Sequence, residues 1–453
     1  MSNPLRVAII GAGPAGIYAA DLLTKAHAEV DLFEMLPAPF GLVRYGVAPD
    51  HPRIKQIVLA LHKIMDHGLV RLFCNVDYGK DISLSDLQNY YDAVIFATGT
   101  IKDAPTDLPG SDLPECYGAA DFVSWYDGHP DVPRTWPLTA KHIAVIGAGN
   151  VALDVSRILA KHAEDLLTTD IPQNVYDGLA VSPVTDVHLF ARRGPAQAKF
   201  SPLELRELGE VRDVDMVVYP EDFEFDDGSL AAIESSNQTK QVVKTLTDWA
   251  LVEPSTQHAS RRVHLHFLNN PVEILGTDHV TGIRCEKMKL NGDGTSSGTG
   301  EFEEWPVEAV YRAIGYFGSP AADVPFDDKR GVIPNIGGRV IDSTGTAIPR
   351  LYCTGWIKRG PVGLIGSTKS DAQETIKNLL SDFNSENGDA RPAPDRNTED
   401  IKRLLTERNV PFVTWDDFRR LDNHEIALGA AAGRERIKVV PREEITNIAL
   451  GRE

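Results

Sequence analysis

Two glycine-spaced turns, and the residues that follow each of them, carry the chemistry legible in this chain. The first is Gly11-Ala12-Gly13-Pro14-Ala15-Gly16, with Glu34 standing 23 residues after Gly11. The second, Gly147-Ala148-Gly149-Asn150-Val151-Ala152, keeps the spacing but ends in alanine. Glycines so placed permit a tight turn and close approach of backbone to a pyrophosphate, while the helix behind them aims its free N–H groups at the anion. An acid ending the next strand accepts from ribose hydroxyls and repels a 2′-phosphate. Glu34 occupies that place after the first turn. After the second, the acid is replaced by Ala191-Arg192-Arg193-Gly194, which attracts a 2′-phosphate. The first site therefore suits FAD or NAD, and the second NADP(H). Two charge-assisted hydrogen bonds of about 1.5–3 kcal/mol each would favour NADPH over NADH by roughly 10²–10⁴-fold.

Three further groups stand out. His51 closes a loop beside the first site, between Asp50 and Pro52, where an imidazole can relay a proton or position a partner. Ser201-Pro202-Leu203-Glu204 reads as a capping box, which assigns Glu204 a structural task, and Glu207 follows on the same helical face. The stretch from Trp356 to Ser367 contains Gly363 and Gly366, so a flat ligand can approach its backbone. Amides at the start of the following helix are placed to stabilise electron density on such a ligand.

The elements that must position these groups follow from periodicity. Residues 5–10 form a short buried strand. Ile17, Ala20, Leu23 and Ala26 then share one face of a helix, and residues 29–34 return as a second strand. Residues 35–52 hold four prolines and two glycines and read as a long ordered loop, followed by a helix over 53–66. Ser83 and Asp86 cap a short helix. Residues 101–137 look like a domain crossing, and 141–190 repeat the strand–turn–helix–strand unit. The acidic stretch 214–234 is expected to face solvent, 291–300 to form a hairpin tip, and 384–398 to be a linker.

Bulk properties narrow the function. Forty-two per cent hydrophobic and 25% charged residues describe an ordinary globular protein of two or three domains, and a net charge of -19 argues against general nucleic-acid binding. Four separated cysteines without a C-x-x-C exclude a redox dithiol and a cysteine-held metal or cluster, and no metal site is evident. No apolar run is long enough to span a membrane, and with the first strand beginning by residue 5 no targeting peptide is expected. A cytoplasmic protein is expected. Residues 191–212 and 350–377 carry net charges of +2 and +3 and are candidate docking surfaces for an acidic partner.

The chain resembles the adrenodoxin-reductase-like ferredoxin–NADP(+) reductases. The segments that carry the resemblance are Pro39-Phe40-Gly41-Leu42-Val43-Arg44-Tyr45-Gly46-Val47-Ala48-Pro49-Asp50-His51-Pro52, Gly149-Asn150-Val151-Ala152-Leu153-Asp154, Ala191-Arg192-Arg193-Gly194-Pro195 and Gly355-Trp356-Ile357-Lys358-Arg359-Gly360-Pro361-Val362-Gly363. The tail is similar to that of the bacterial members. To the glycine turn, with Gly11, Gly13 and Gly16, the resemblance adds FAD contacts at Ala15, Glu34, Leu42, Tyr78, Trp356, Gly363, Leu364 and Ile365. It implies NADP contacts at Ala148, Gly149, Asn150, Val151, Arg192, Arg193, Glu204 and Gly363. It makes His51 and Glu207 candidates for tuning hydride transfer.

The expected fold is two Rossmann-like α/β dinucleotide-binding domains. The NADP domain, 105–317, is inserted into a discontinuous FAD domain formed by 1–104 and 318–453. The expected function is electron transfer from NADPH through FAD to an acidic, ferredoxin-type iron–sulfur protein, by a monomer. The alternatives are an NADPH-dependent flavin monooxygenase, a quinone or diaphorase-type reductase, and a non-catalytic nucleotide sensor. A glutamate-synthase small subunit would need cysteine clusters that are absent.

Overall fold

The computed structural model describes residues 4–51, 55–363, 365–384 and 399–452, with Ile365 described by its backbone only. Each glycine turn follows an interior strand of its own sheet, Arg6–Ile10 in the first and His142–Ile146 in the second. In the first sheet the order is Asn335–Ile336, Arg339–Ile341, Ala347–Cys353, Ala93–Phe96, Arg6–Ile10, Glu29–Glu34 and Val70–Cys74. The last five run parallel, as a strand–helix–strand unit requires. In the second, six parallel strands follow the order Cys116–Gly118, Ala309–Arg312, His142–Ile146, Asp186–Phe190, Arg261–His266 and Val214–Val218. The second unit is inserted in the first, and the two chain crossings pair with one another, Lys102–Asp103 against Tyr316–Phe317.

Both sheets are buried on both faces, which is why their strands read as continuous apolar runs. In the first, Val7, Ile9 and Leu32 meet the helix Pro14–Lys25, while Ala8, Ile10 and Phe33 line the opposite face. The C-terminal segment completes both layers. Phe418, Leu421 and Ile445 join one, and Ile401 and Leu405 the other. In the second, the helix Asn150–Ala160 covers Ile143, Val145 and Val187. A three-stranded antiparallel sheet, Asn269–Gly276, Val280–Leu290 and Ser296–Trp305, covers the other face.

Several expectations change in detail. Ala26 is the exposed C-cap, since the first helix ends at Lys25. Of the helix expected over 53–66, residues 53 and 54 lie outside the described residues, and the rest is helical over Ile57–Asp66, with Leu61 and Met65 buried. The long loop contains a short helix, Leu42–Tyr45. Residues 101–137 are more than a crossing, because Cys116–Gly118 joins the second sheet and Ala119–Tyr126 buries Phe122 and Trp125. The acidic stretch does not simply face water. Val214–Val218 is an edge strand with Met216 and Val218 buried, and Asp222 accepts from the Phe267 amide. Within 384–398, all but Asn384 lie outside the described residues.

The tail is tied down by charge as well as by packing. Glu425, fully buried on the helix Trp415–Ala431, forms a bidentate pair with Arg44 of the loop and accepts from the Val439 amide. Removing one partner of such a pair leaves the other charge buried alone. Glu425→Ala is expected to lower stability by about 3–5 kcal/mol in urea denaturation, and an unchanged midpoint would refute this role.

Candidate functional site

The first glycine turn is forced by close approach. Gly11 has φ +109, and a Cβ there would lie 2.5 Å from the Ala97 carbonyl oxygen. Gly147 repeats the arrangement, with the Ala313 oxygen 2.4 Å from a notional Cβ. Around the first turn the chain builds a shallow cradle of small residues. The Phe40 amide donates to the Ala12 carbonyl at 2.8 Å, laying the loop over the turn. Gly355, at φ +76, comes so near the helix start that a Cβ would be 2.6 Å from that of Ala15. Trp356, half-buried, begins the next short helix.

Glu34 ends its strand where expected. Its carboxylate accepts from the Ala12 amide at 2.8 Å and the Leu36 amide at 3.0 Å. Burial pushes its pKa up, and these two N–H groups oppose the shift. The acid is thus held at the mouth of the turn by the turn's own backbone. Leu42 opens its helix beside Gly41, and Gly363 lies exposed at φ +85. Leu364 and the side chain of Ile365 lie outside the described residues. Tyr78 stands on the face of the sheet away from the first helix, donating to the Ala322 carbonyl and packing edge-on against Phe96.

At the second turn, Gly149 has open space where a Cβ would project, and Ala148 accepts from the Lys199 amide. Asn150 opens the helix, and its side chain accepts from the Ser201 amide at 2.8 Å, followed by Val151. Arg192 and Arg193 are exposed just beyond the strand and form no ion pair among the described residues. They are the free cations that a phosphate would find.

The expected capping box is only half formed. Ser201 accepts from the Glu204 amide at 3.2 Å, but the Ser201 amide is taken by Asn150. Glu204 is therefore released from its structural task. It is buried, its Oε2 has no hydrogen-bond partner among the described residues, and burial followed by the charge of Asp154 pushes its pKa up to about 6. Glu207, one turn on, places Oε2 2.8 Å from His51 Nδ1.

His51 thus bridges the two domains. Its Nε2 lies 2.8 Å from Asp154 Oδ1 and 2.8 Å from Arg157, both on the helix behind the second turn. Arg157 is buried, pairs with Asp154 at 2.8 Å and forks onto Asp50 with two contacts of 2.9 Å. Lys161 adds a contact to Asp50 at 2.7 Å. Burial is the largest influence on His51 and opposes its charge, but the hydrogen bond with Asp154 and the charges of Asp154 and Asp50 together outweigh burial and Arg157, so the pKa is raised. Sequence reading missed Asp154 and Arg157. Their signal was an i, i+3 charged pair on a helix whose other buried residues, Ser156 aside, are apolar.

The Pyridine nucleotide-disulphide oxidoreductase family model matches residues 5–194. NADPH-ferredoxin reductase FprA of Mycobacterium tuberculosis is 39% identical, over 99% of this chain and 100% of that protein. The mitochondrial NADPH:adrenodoxin oxidoreductase of Bos taurus is 35% identical, over 98% of this chain and 92% of its own. The chain belongs to the adrenodoxin-reductase-like ferredoxin–NADP(+) reductases. The structure of M. tuberculosis FprA in complex with NADPH matches this family member with a TM-score of 0.91, at 38% identity, covering 99% of this chain and 100% of that one. The family model's name includes disulphide chemistry, but here all four cysteines are free and none forms a C-x-x-C.

Glu204 makes stability depend on pH with a definite sign. Its folded pKa, about 6, lies above its ordinary 4.5, so the folded state holds the proton more tightly. Its contribution is fully present below pH 4.5 and is lost as pH rises through 6. Glu204→Gln should therefore be more stable than the parent at pH 8, by about 1 kcal/mol after allowance for solvent screening, and no more stable at pH 4. Urea denaturation at both pH values checks this, and an equal advantage at both would reject it.

Proposed function

We propose that this protein is an NADPH–ferredoxin reductase. It takes a hydride from NADPH at the second site onto FAD at the first, and passes electrons singly to an iron–sulfur protein. The observation that carries the reading is the contrast between the two strand ends. One holds a buried carboxylate pinned by the glycine turn, which accepts ribose hydroxyls. The other holds two exposed, unpaired arginines that attract a 2′-phosphate.

The residues fit both groups. For FAD, the cradle of Gly11, Gly13, Ala15, Gly16 and Gly355 would admit a pyrophosphate, and Glu34 would take the ribose. The family resemblance adds Leu42, Tyr78, Trp356, Gly363, Leu364 and Ile365 as residues that would contact it. Bound FAD supplies the conversion of a two-electron donor into single electrons. For NADPH, Ala148, Gly149, Asn150 and Val151 hold the pyrophosphate, Arg192 and Arg193 the 2′-phosphate, and Glu204 offers its unpartnered oxygen to the nicotinamide end. His51 and Glu207 tune the transfer. Their 2.8 Å contact crosses the seam between the two sheets' domains, so each side chain orients the other there. The domains we assign are 1–104 with 318–453 for FAD and 105–317 for NADP, a division supported by the paired crossings at Lys102–Asp103 and Tyr316–Phe317.

The partner we infer is acidic and docks on the basic stretches 191–212 and 350–377 of a monomer. Among the described residues no helix is long and apolar enough to cross a membrane. Four free cysteines suit the reducing cytoplasm.

Two measurements test the reading. Arg192→Ala combined with Arg193→Ala should reduce the NADPH-over-NADH preference in kcat/KM by roughly 10²–10⁴-fold, and an unchanged preference would overturn the cofactor assignment. Cytochrome c reduction driven by NADPH should be stimulated by a low-potential ferredoxin. If no ferredoxin stimulates it while quinones do, the acceptor is a quinone instead.

A further inference from the structure

One cluster of chemically capable side chains has no part in the nucleotide sites. His188 lies on the strand Asp186–Phe190, and His264 and His266 lie on its parallel neighbour Arg261–His266. His264 is in register with His188, and His266 with Phe190. Residues two apart on a strand share a face, so all three imidazoles project from the same side of the sheet. That side is covered by the three-stranded sheet, whose Trp305 lies 4.3 Å from the His266 ring and 5.9 Å from that of His188.

The nitrogens are arranged as ligands are. One nitrogen from each of the three rings lies within 4.8 Å of the others. His188 Nδ1 faces His266 Nε2 at 3.0 Å. His264 donates from Nε2 to Asp186 Oδ1 at 2.9 Å, which leaves its Nδ1 as the lone-pair nitrogen, met at 3.0 Å by the Tyr219 hydroxyl. A carboxylate on the far nitrogen is the support that orients a metal-binding histidine and raises its basicity. His188 and His266 are buried, while His264 is partly exposed and leaves a way in.

We propose that His188, His264 and His266 bind one divalent first-row transition ion of the kind that prefers imidazole, such as zinc. The ion would tie these two neighbouring strands together beneath Trp305. The proton shared by His188 and His266 moves to the outer nitrogen of its own ring, which frees both facing lone pairs, and no proton need leave. The rings lie within 17° of parallel, so His264 must turn away from the Tyr219 hydroxyl to converge with the other two. Zinc accepts about 2.0–2.1 Å from each nitrogen, with water in the fourth position.

The test uses the flavin-loaded protein, treated with chelator, dialysed and titrated with Zn²⁺ by calorimetry, with retained metal measured by atomic emission. The expected result is uptake of about one equivalent. It should be abolished in the double variant His264→Gln, His266→Gln, and Asp186→Asn should weaken it by roughly 10–100-fold. Flavin content reports whether each variant is folded. Should a variant lose its flavin, Co²⁺ added to the unmodified protein decides, since a three-nitrogen site gives a visible ligand-field band to the red of the flavin. Sub-stoichiometric zinc, equal uptake by the folded double variant, or no cobalt band would overturn the proposal and leave the trio as a hydrogen-bonded cluster.

Discussion

The geometry of this molecule depends on one buried guanidinium. Arg157 is 1% exposed, and its partners come from both domains, Asp154 from its own helix and Asp50 from the loop of the other. A charge so buried must be matched, because an unpaired one would cost several kcal/mol. The seam between the domains is therefore specific in angle and register. His51 sits next to Asp50, so whatever fixes Asp50 also fixes the imidazole at the seam between the domains.

The C-terminal segment reinforces the same seam from behind. Lys438 is buried and donates to the carbonyls of Arg44 and Asp127, one from each domain. Burial pulls its pKa down to about 8 and pushes that of Asp127 up to about 7, with Lys55 and Asp170 completing the group. The tail is thus part of the first domain's core and also a brace across the interface. That explains how a chain with long excursions between its sheets keeps the two domains in one fixed arrangement.

Functional demand shows where local rules are broken. Ser201-Pro202-Leu203-Glu204 satisfies every sequence requirement of a capping box, yet Glu204 does not close it. Asn150, the first residue of the helix behind the second turn, takes the amide instead. The result is an acid buried without a hydrogen-bond partner on one of its oxygens, beside the place where a ligand would sit. Local inconsistency of this kind is expected at sites and not in cores.

The sequence by itself determined the parts whose chemistry is local. The strand–turn–helix units, the acid at Glu34 and the arginines at 192 and 193 follow from periodicity and spacing, because each glycine turn and the strand end after it belong to one local unit, Gly11 with Glu34 in the first and Gly147 with Arg192 in the second. His51 and Glu207 were legible as candidates, but not as a pair. Only the tertiary structure decided that they meet, because 156 positions separate them and an interface between domains brings them together. The same holds for Asp154 and Arg157, for the tail's Glu425 and Lys438, and for the three histidines on neighbouring strands. Each is an ordinary residue in its own segment. Each acquires its role from burial against a segment far away, and sequence periodicity reports which face is apolar but not which charge lies across from it.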